Sequence, residues 1–119
     1  MRFIWIGVGG AVGSMLRFGI GLWFSTTRFP WATLTVNLVG SFSLGLLFTY
    51  ALGRWPMQIT TSLAVGLLGG FTTFSTFAWE TFTMAQAGDI VRGVVYLFAS
   101  LAGGLGAALL GYTAGRALA

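Results

Sequence analysis

The chain has no cysteine, no histidine and no lysine, and only two acidic residues in 119. Without thiols or imidazoles there can be no disulfide, no thiolate or imidazole metal site and no histidine general base, which removes most enzyme chemistry. The net charge of +4 comes from six arginines. They are scattered singly, so neither a nucleic-acid footprint nor a polybasic lipid patch is supported. Charged residues make up 7% of the chain and hydrophobic ones 56%. With a mean hydropathy of +0.89, these values lie outside the range of a water-soluble domain.

What the chain does have is four apolar stretches, each near the roughly 20 residues a helix needs to cross a bilayer. They run from Phe3 to Phe24, Trp31 to Leu52, Met57 to Phe82 and Ile90 to Gly115. The segments between them, Ser25 to Pro30, Gly53 to Pro56 and Thr83 to Asp89, are too short to hold a soluble domain. The sequence therefore reads as an all-α membrane protein, one domain over residues 1–119 with four transmembrane helices. Arg2 ahead of an apolar run imitates a secretory signal. No A-x-A-like cleavage site follows, however, and the run continues past Arg17, so it is read as the first helix.

Arg2, Arg54 and Arg116 fall on the side of the termini, Arg28 and Arg92 on the opposite side, and Arg17 within the first span. Such a small bias is a weak orientation signal. Either one extra arginine orients the chain, or copies insert in both senses and pair about a two-fold axis in the membrane plane. The 19 glycines imply backbones in close approach, because packing rather than hydrophobicity associates helices in lipid. Gly9 and Gly13 form a GxxxG, and Gly103, Ala107, Gly111 and Gly115 form a stripe on the fourth span. Packing within a subunit and packing between subunits are both open for them. Four short helices enclose little space, so an ion pathway is expected at or beside a subunit interface.

Polar groups at membrane depth are costly and so are functional candidates. Asn37 lies near the middle of the second span, on one helical stripe with Thr33 and Ser41. Its amide either joins two helices or donates to an anion. The third span carries Gly69-Gly70-Phe71-Thr72-Thr73-Phe74-Ser75-Thr76-Phe77. A double glycine followed by threonines predicts a break near mid-membrane, whose carbonyls need protein, water or an ion. Two such breaks meeting on a two-fold axis would offer four oxygens to a small cation such as Na+, provided the dimer forms.

Phe74 and Phe77 face the same way. They serve ordinary packing or, through their positive ring edges, a narrow passage that favours a small anion. Ser75 and Thr76 turn their hydroxyls to neighbouring faces. Tyr96 and Ser100 share a face of the fourth span, continued by Gly104 and Ala108, which carry no hydroxyl. This is either a ladder of donors or a set of hydroxyls bonded to backbone carbonyls, the expectation for Ser100. Arg17 is expected to snorkel to a boundary, the alternatives being to cap carbonyls or to raise the local anion concentration. Glu80, the only acid outside a loop, reads most simply as the partner of an arginine.

Taken together, Gly9-Gly10-Ala11-Val12-Gly13 with Arg17, Thr33 to Ser41 around Asn37, and Gly69 to Phe77 resemble the Fluc (CrcB) fluoride channels over all four spans. The resemblance implies an antiparallel, dual-topology homodimer with two pores that expels fluoride passively through a bacterial cell membrane. It also implies that Phe74 and Phe77 form the aromatic lining of the pore, with Asn37 beside it and Ser75 and Thr76 on its polar track. Gly69 and Thr72 would hold a central Na+ through main-chain carbonyls. Arg17 would sit near a vestibule, and Glu80 near the opposite end of the pathway. Where the family continues the stripe of Tyr96 and Ser100 with hydroxyls, this chain has Gly104 and Ala108, which leaves the end of its track open.

Two other classes compete. A small multidrug-type exporter also uses four short helices, but needs a membrane-embedded carboxylate, and no acid precedes Glu80. A helper subunit packed against a larger complex would explain the small-residue stripes but not a broken third span.

Overall fold

A segment that is apolar all round can satisfy its backbone in lipid only as a helix, and all four segments do so. In the computed structural model, which describes residues 1–25 and 27–119, α1 spans Arg2–Trp23 and α2 spans Trp31–Tyr50. The third span is divided. Its first part, α3, comprises Met57–Thr61, a π-helical stretch Ser62–Leu68 and Gly69–Phe71, and its second part, α4, is Phe74–Gln86. The last helix, α5, is Ile90–Leu118. The four spans Arg2–Trp23, Trp31–Tyr50, Met57–Gln86 and Ile90–Leu118 are long and apolar enough to cross a membrane.

The predicted spans agree with these helices to within four residues, the largest difference being that α4 continues to Gln86, past Phe82, and shortens the last connection. That helix ends where Gly88 takes φ +88 and the Asp89 N–H reaches back to the Met84 carbonyl at 2.9 Å, a left-handed cap that suits glycine. Of the first predicted connection, Thr26 lies outside the described residues.

Glycines decide which helices lie together. α1 runs along α3, α2 along α5, and α4 packs on α5. A Cβ on Gly70 would come within 2.6 Å of the Gly10 carbonyl oxygen, and one on Gly66 within 2.7 Å of that of Ile6. No side chain fits there, so backbones touch as small residues permit in lipid. Gly9 and Gly13 meet α3, while Gly111 and Gly115 meet α2, so these four glycines are used within the subunit.

The result is a slab of 49 × 31 × 20 Å, about two helix diameters thick. One small core joins Leu34, Phe77 and Tyr96, with Phe29, Leu38, Met84 and Leu97 around it. Most other large apolar side chains, Phe3, Phe18 and Leu105 among them, point outward, as a lipid environment requires.

The break falls inside the expected run, at its threonines and not at its glycines. Gly69 stays helical, at φ −63 and ψ −37, and Gly70 is held helical against α1. The chain opens instead at Thr72 (φ −87, ψ 158) and Thr73 (φ −151, ψ 118). β-Branched residues favour this extended conformation, and the Thr73 side chain caps the new helix.

Candidate functional site

In an unbroken helix each N–H donates to the carbonyl four residues earlier. Thr73 would serve Gly69, Phe74 would serve Gly70, and Thr76 would serve Thr72. Side chains intercept all three relations. The Thr73 N–H donates to Asn37 Oδ1 at 2.9 Å, and Asn37 Nδ2 donates to the Thr73 carbonyl at 3.0 Å. One amide thus clamps both sides of one residue. The Thr76 N–H donates to Thr73 Oγ1 at 3.2 Å. Arg17 Nε donates to the Gly70 carbonyl at 3.1 Å, replacing the donor lost from Phe74.

The carbonyls of Gly69 and Thr72 are left over. Their helical donors are engaged elsewhere, and no other bond reaches them among the described residues. Both residues line a recess of about 280 Å³ together with Asn37, Gly40, Ser41 and Phe74, whereas Phe71 does not. Oxygen atoms of this kind suit a hard cation. Carboxylate or imidazole clusters that would hold a metal are absent among the described residues, so the carbonyls are the donors such an ion would find here.

On the other side of the break lies a larger vestibule of about 590 Å³, lined in its polar part by Arg17, Arg28, Thr33, Thr76 and Glu80, with Thr73 shared between the two cavities. Arg17 therefore does not snorkel away. Its Nε is spent on the Gly70 carbonyl, and its two terminal nitrogens keep four further donors. The start of α4 adds a positive helix end. The Thr73 hydroxyl joins the Thr76 hydroxyl at 3.1 Å and lies 3.5 Å from that of Ser75.

The aromatic residues form a column. The Phe74 and Phe77 centroids are 5.8 Å apart at 61°, Phe77 and Tyr96 are 5.2 Å apart at 67°, and Tyr96 and Phe29 are 5.5 Å apart at 83°. Each contact is edge-to-face, the arrangement that aromatic quadrupoles favour. The column runs from surface to core, because Phe74 is 76% exposed whereas Phe77 is 6% and Tyr96 is 0% exposed.

Two expectations are corrected here. Glu80 does not pair with an arginine. It accepts a hydrogen bond from the Tyr96 hydroxyl at 2.9 Å, while the ion pair among the described residues joins Arg92 to Asp89 at 3.2 Å. The cause is reach: α4 packs on α5 and brings the two side chains together, Glu80 in the vestibule wall and Tyr96 buried behind it. Nor does Ser100 bond a backbone carbonyl; its Oγ is buried with no partner. The structure also brings in two residues that sequence reasoning did not single out. Thr73 was legible only as part of a hydroxyl run, and Phe29 gave no signal, its role resting on a contact with Tyr96 across the fold.

Residues 4–112 match the family described as CrcB-like protein, Camphor Resistance (CrcB). A protein named fluoride-specific ion channel FluC from Thermus thermophilus is 45% identical across 98% of this chain and 95% of its own length. One named FluC 2 from Moorella thermoacetica is 40% identical across 99% of both chains. Another from Chloroflexus aurantiacus is 40% identical, covering 93% of this chain and 92% of its own.

Proposed function

Because the chain belongs to the CrcB-like family, a family of channels rather than enzymes, we propose that it is a fluoride-selective channel through which fluoride leaves a bacterial cell passively across the cell membrane. The observation that carries this reading is the clamped break at Thr72 and Thr73, with hydroxyls and aromatic edges directly after it.

The residues divide the work as follows. Arg17 and Arg28 make the vestibule electropositive and concentrate anions at its mouth. The hydroxyls of Ser75 and Thr76 replace part of the water that a fluoride ion sheds. The rings of Phe74 and Phe77 offer positive edges and exclude bulk water, which favours a small anion and disfavours cations, since those prefer ring faces. Asn37 fixes the break and still has one amide hydrogen free for an anion. Tyr96 and Ser100 continue the track, and Glu80 orients the Tyr96 hydroxyl.

The assembly belongs to the same proposal: an antiparallel homodimer, two copies in opposite orientations, with two pores. Its supports are the near balance of arginines across the membrane, the outward-facing Phe74 and the recess that leaves two carbonyls open. A two-fold axis beside the recess would gather the Gly69 and Thr72 carbonyls of both copies around one Na+. That ion would supply positive charge that holds the two breaks together, and the chain's own part is to keep these oxygens free of helical donors.

The exporter reading loses ground, because its necessary free carboxylate would be Glu80, which is engaged by Tyr96. The test is complementation. Expressed in a bacterium stripped of fluoride export, the chain should restore growth in millimolar fluoride; normal membrane expression without any rescue would count against the channel.

A further inference from the structure

Contacts along α2 and α5 rise together in number: Leu38 lies against Gly103, Ser41 against Gly104, Gly45 against Ala108, and Thr49 against Gly115. The two helices therefore run in the same direction, and the stripe Thr33, Asn37, Ser41, Gly45 faces the stripe Tyr96, Ser100, Gly104, Ala108 turn by turn. At the level where α5 first lacks a hydroxyl, α2 has one. The Ser41 Oγ lies 3.8 Å from where a Cβ of Gly104 would stand, and no other atom of the facing helices comes within 4 Å of that point. One turn further on, a Cβ on Gly45 would come within 2.5 Å of the Ala108 carbonyl oxygen, so the backbones close the seam with no polar side chain.

Several hydroxyls of the fold are spent within their own helix, although on α2 itself, among the described residues, only Thr49 is, Thr35 and Ser43 being as unengaged as Ser41. Ser14, Thr49, Ser62, Thr72 and Thr81 each donate to the carbonyl four residues earlier, the usual fate of a helical hydroxyl. Ser100 is not so used, being buried without a partner. Nor does the Ser41 side chain form a hydrogen bond among the described residues, although it borders the recess. Both remain available to an ion.

We infer that Ser41 supplies from α2 the hydroxyl that α5 lacks at Gly104, so that the anion-facing seam runs Tyr96, Ser100, Ser41 and ends there. This rests on the fluoride-channel reading and deepens it. The missing hydroxyl of α5 is a transfer of the donor to the facing helix, not a gap in the track.

The test is a hydroxyl exchange in proteoliposomes holding the full chain, with fluoride efflux as the readout and a monodisperse dimer required of every variant. Removing one donor to a charged group makes Ser41→Ala slower by about tenfold. Adding Gly104→Ser to it returns the hydroxyl from the other helix and restores the rate to within about threefold. Adding Gly104→Ala, which brings the bulk without the hydroxyl, leaves it slow. A Ser41→Ala rate equal to wild type overturns the inference, as does failure of Gly104→Ser to rescue, or rescue by Gly104→Ala. Absence of fluoride efflux from wild-type vesicles would instead defeat the channel reading on which the inference rests.

Discussion

The two sides of the break at Thr72 and Thr73 offer opposite electrostatics from one interruption of one helix. On the recess side stand the end of α3 and two carbonyl oxygens without donors. On the vestibule side stand a guanidinium and the hydroxyls of Thr73 and Thr76, while the start of α4 borders both cavities through Phe74 and Thr76. Free carbonyl oxygens are thus presented to one cavity, and a guanidinium with hydroxyls to the other. A single break can therefore serve ions of both signs, provided side chains decide which backbone groups are free. Asn37, Thr73 and Arg17 make that decision.

Removing the clamp should blur the comparison most. Asn37→Ala leaves the Thr73 N–H and carbonyl without partners, at about 1–3 kcal/mol for each group. The Thr73 N–H is then free to return to Gly69 and straighten the span. Fluoride efflux is expected to fall on the order of a hundredfold, and flux assays on folded protein check it. Efflux at the wild-type rate would mean that the clamp is not part of the pathway.

Arg17→Gln should damage the vestibule side alone. It keeps a donor for the Gly70 carbonyl but removes the charge, so efflux at low ionic strength should drop by about tenfold, with a smaller difference at high salt as screening takes over. The salt series separates this electrostatic role from a packing defect, which salt would not repair.

The recess side is probed by the cation. Replacing Na+ with a bulky organic cation should lower the thermal midpoint of the purified protein by several degrees, about what one to two kcal/mol produces in a chain of this size. Gly40→Ala should make the midpoint insensitive to Na+, because a Cβ there collides with the Thr72 side chain and displaces its carbonyl. A midpoint equally sensitive to Na+ in that variant would argue against a cation at these oxygens.

The smallest effect is expected at Glu80. Glu80→Gln retains an oxygen that can accept from Tyr96, so efflux should change by no more than about threefold, the scale of one neutral hydrogen bond exchanged for a charged one. A much larger loss would give the carboxylate charge its own part in conduction.

Much of the architecture was legible in the residues. Uniformly apolar segments marked the spans, and Gly-Gly-Phe-Thr-Thr marked the break, because both signals are local. Which residues of that run open was not, since Gly70 is held helical by contact with Gly10 on α1. Asn37 could be singled out from its burial cost, but its partner lies 36 residues away and follows only from how α2 meets the third span. The same holds for Glu80 and Tyr96, where charge counting pointed to an arginine and packing chose a hydroxyl. Ser41 was legible as a member of the Asn37 stripe. That it faces Gly104 required the register of α2 against α5.

The most direct test of the central claim is efflux of halides from proteoliposomes holding the purified chain, with valinomycin carrying compensating K+ and separate vesicles loaded with fluoride or chloride. A fluoride channel releases fluoride rapidly and retains chloride, and Asn37→Ala should sharply reduce the release. Retention of fluoride by vesicles that demonstrably contain folded protein, or equal release of both ions, would contradict that reading.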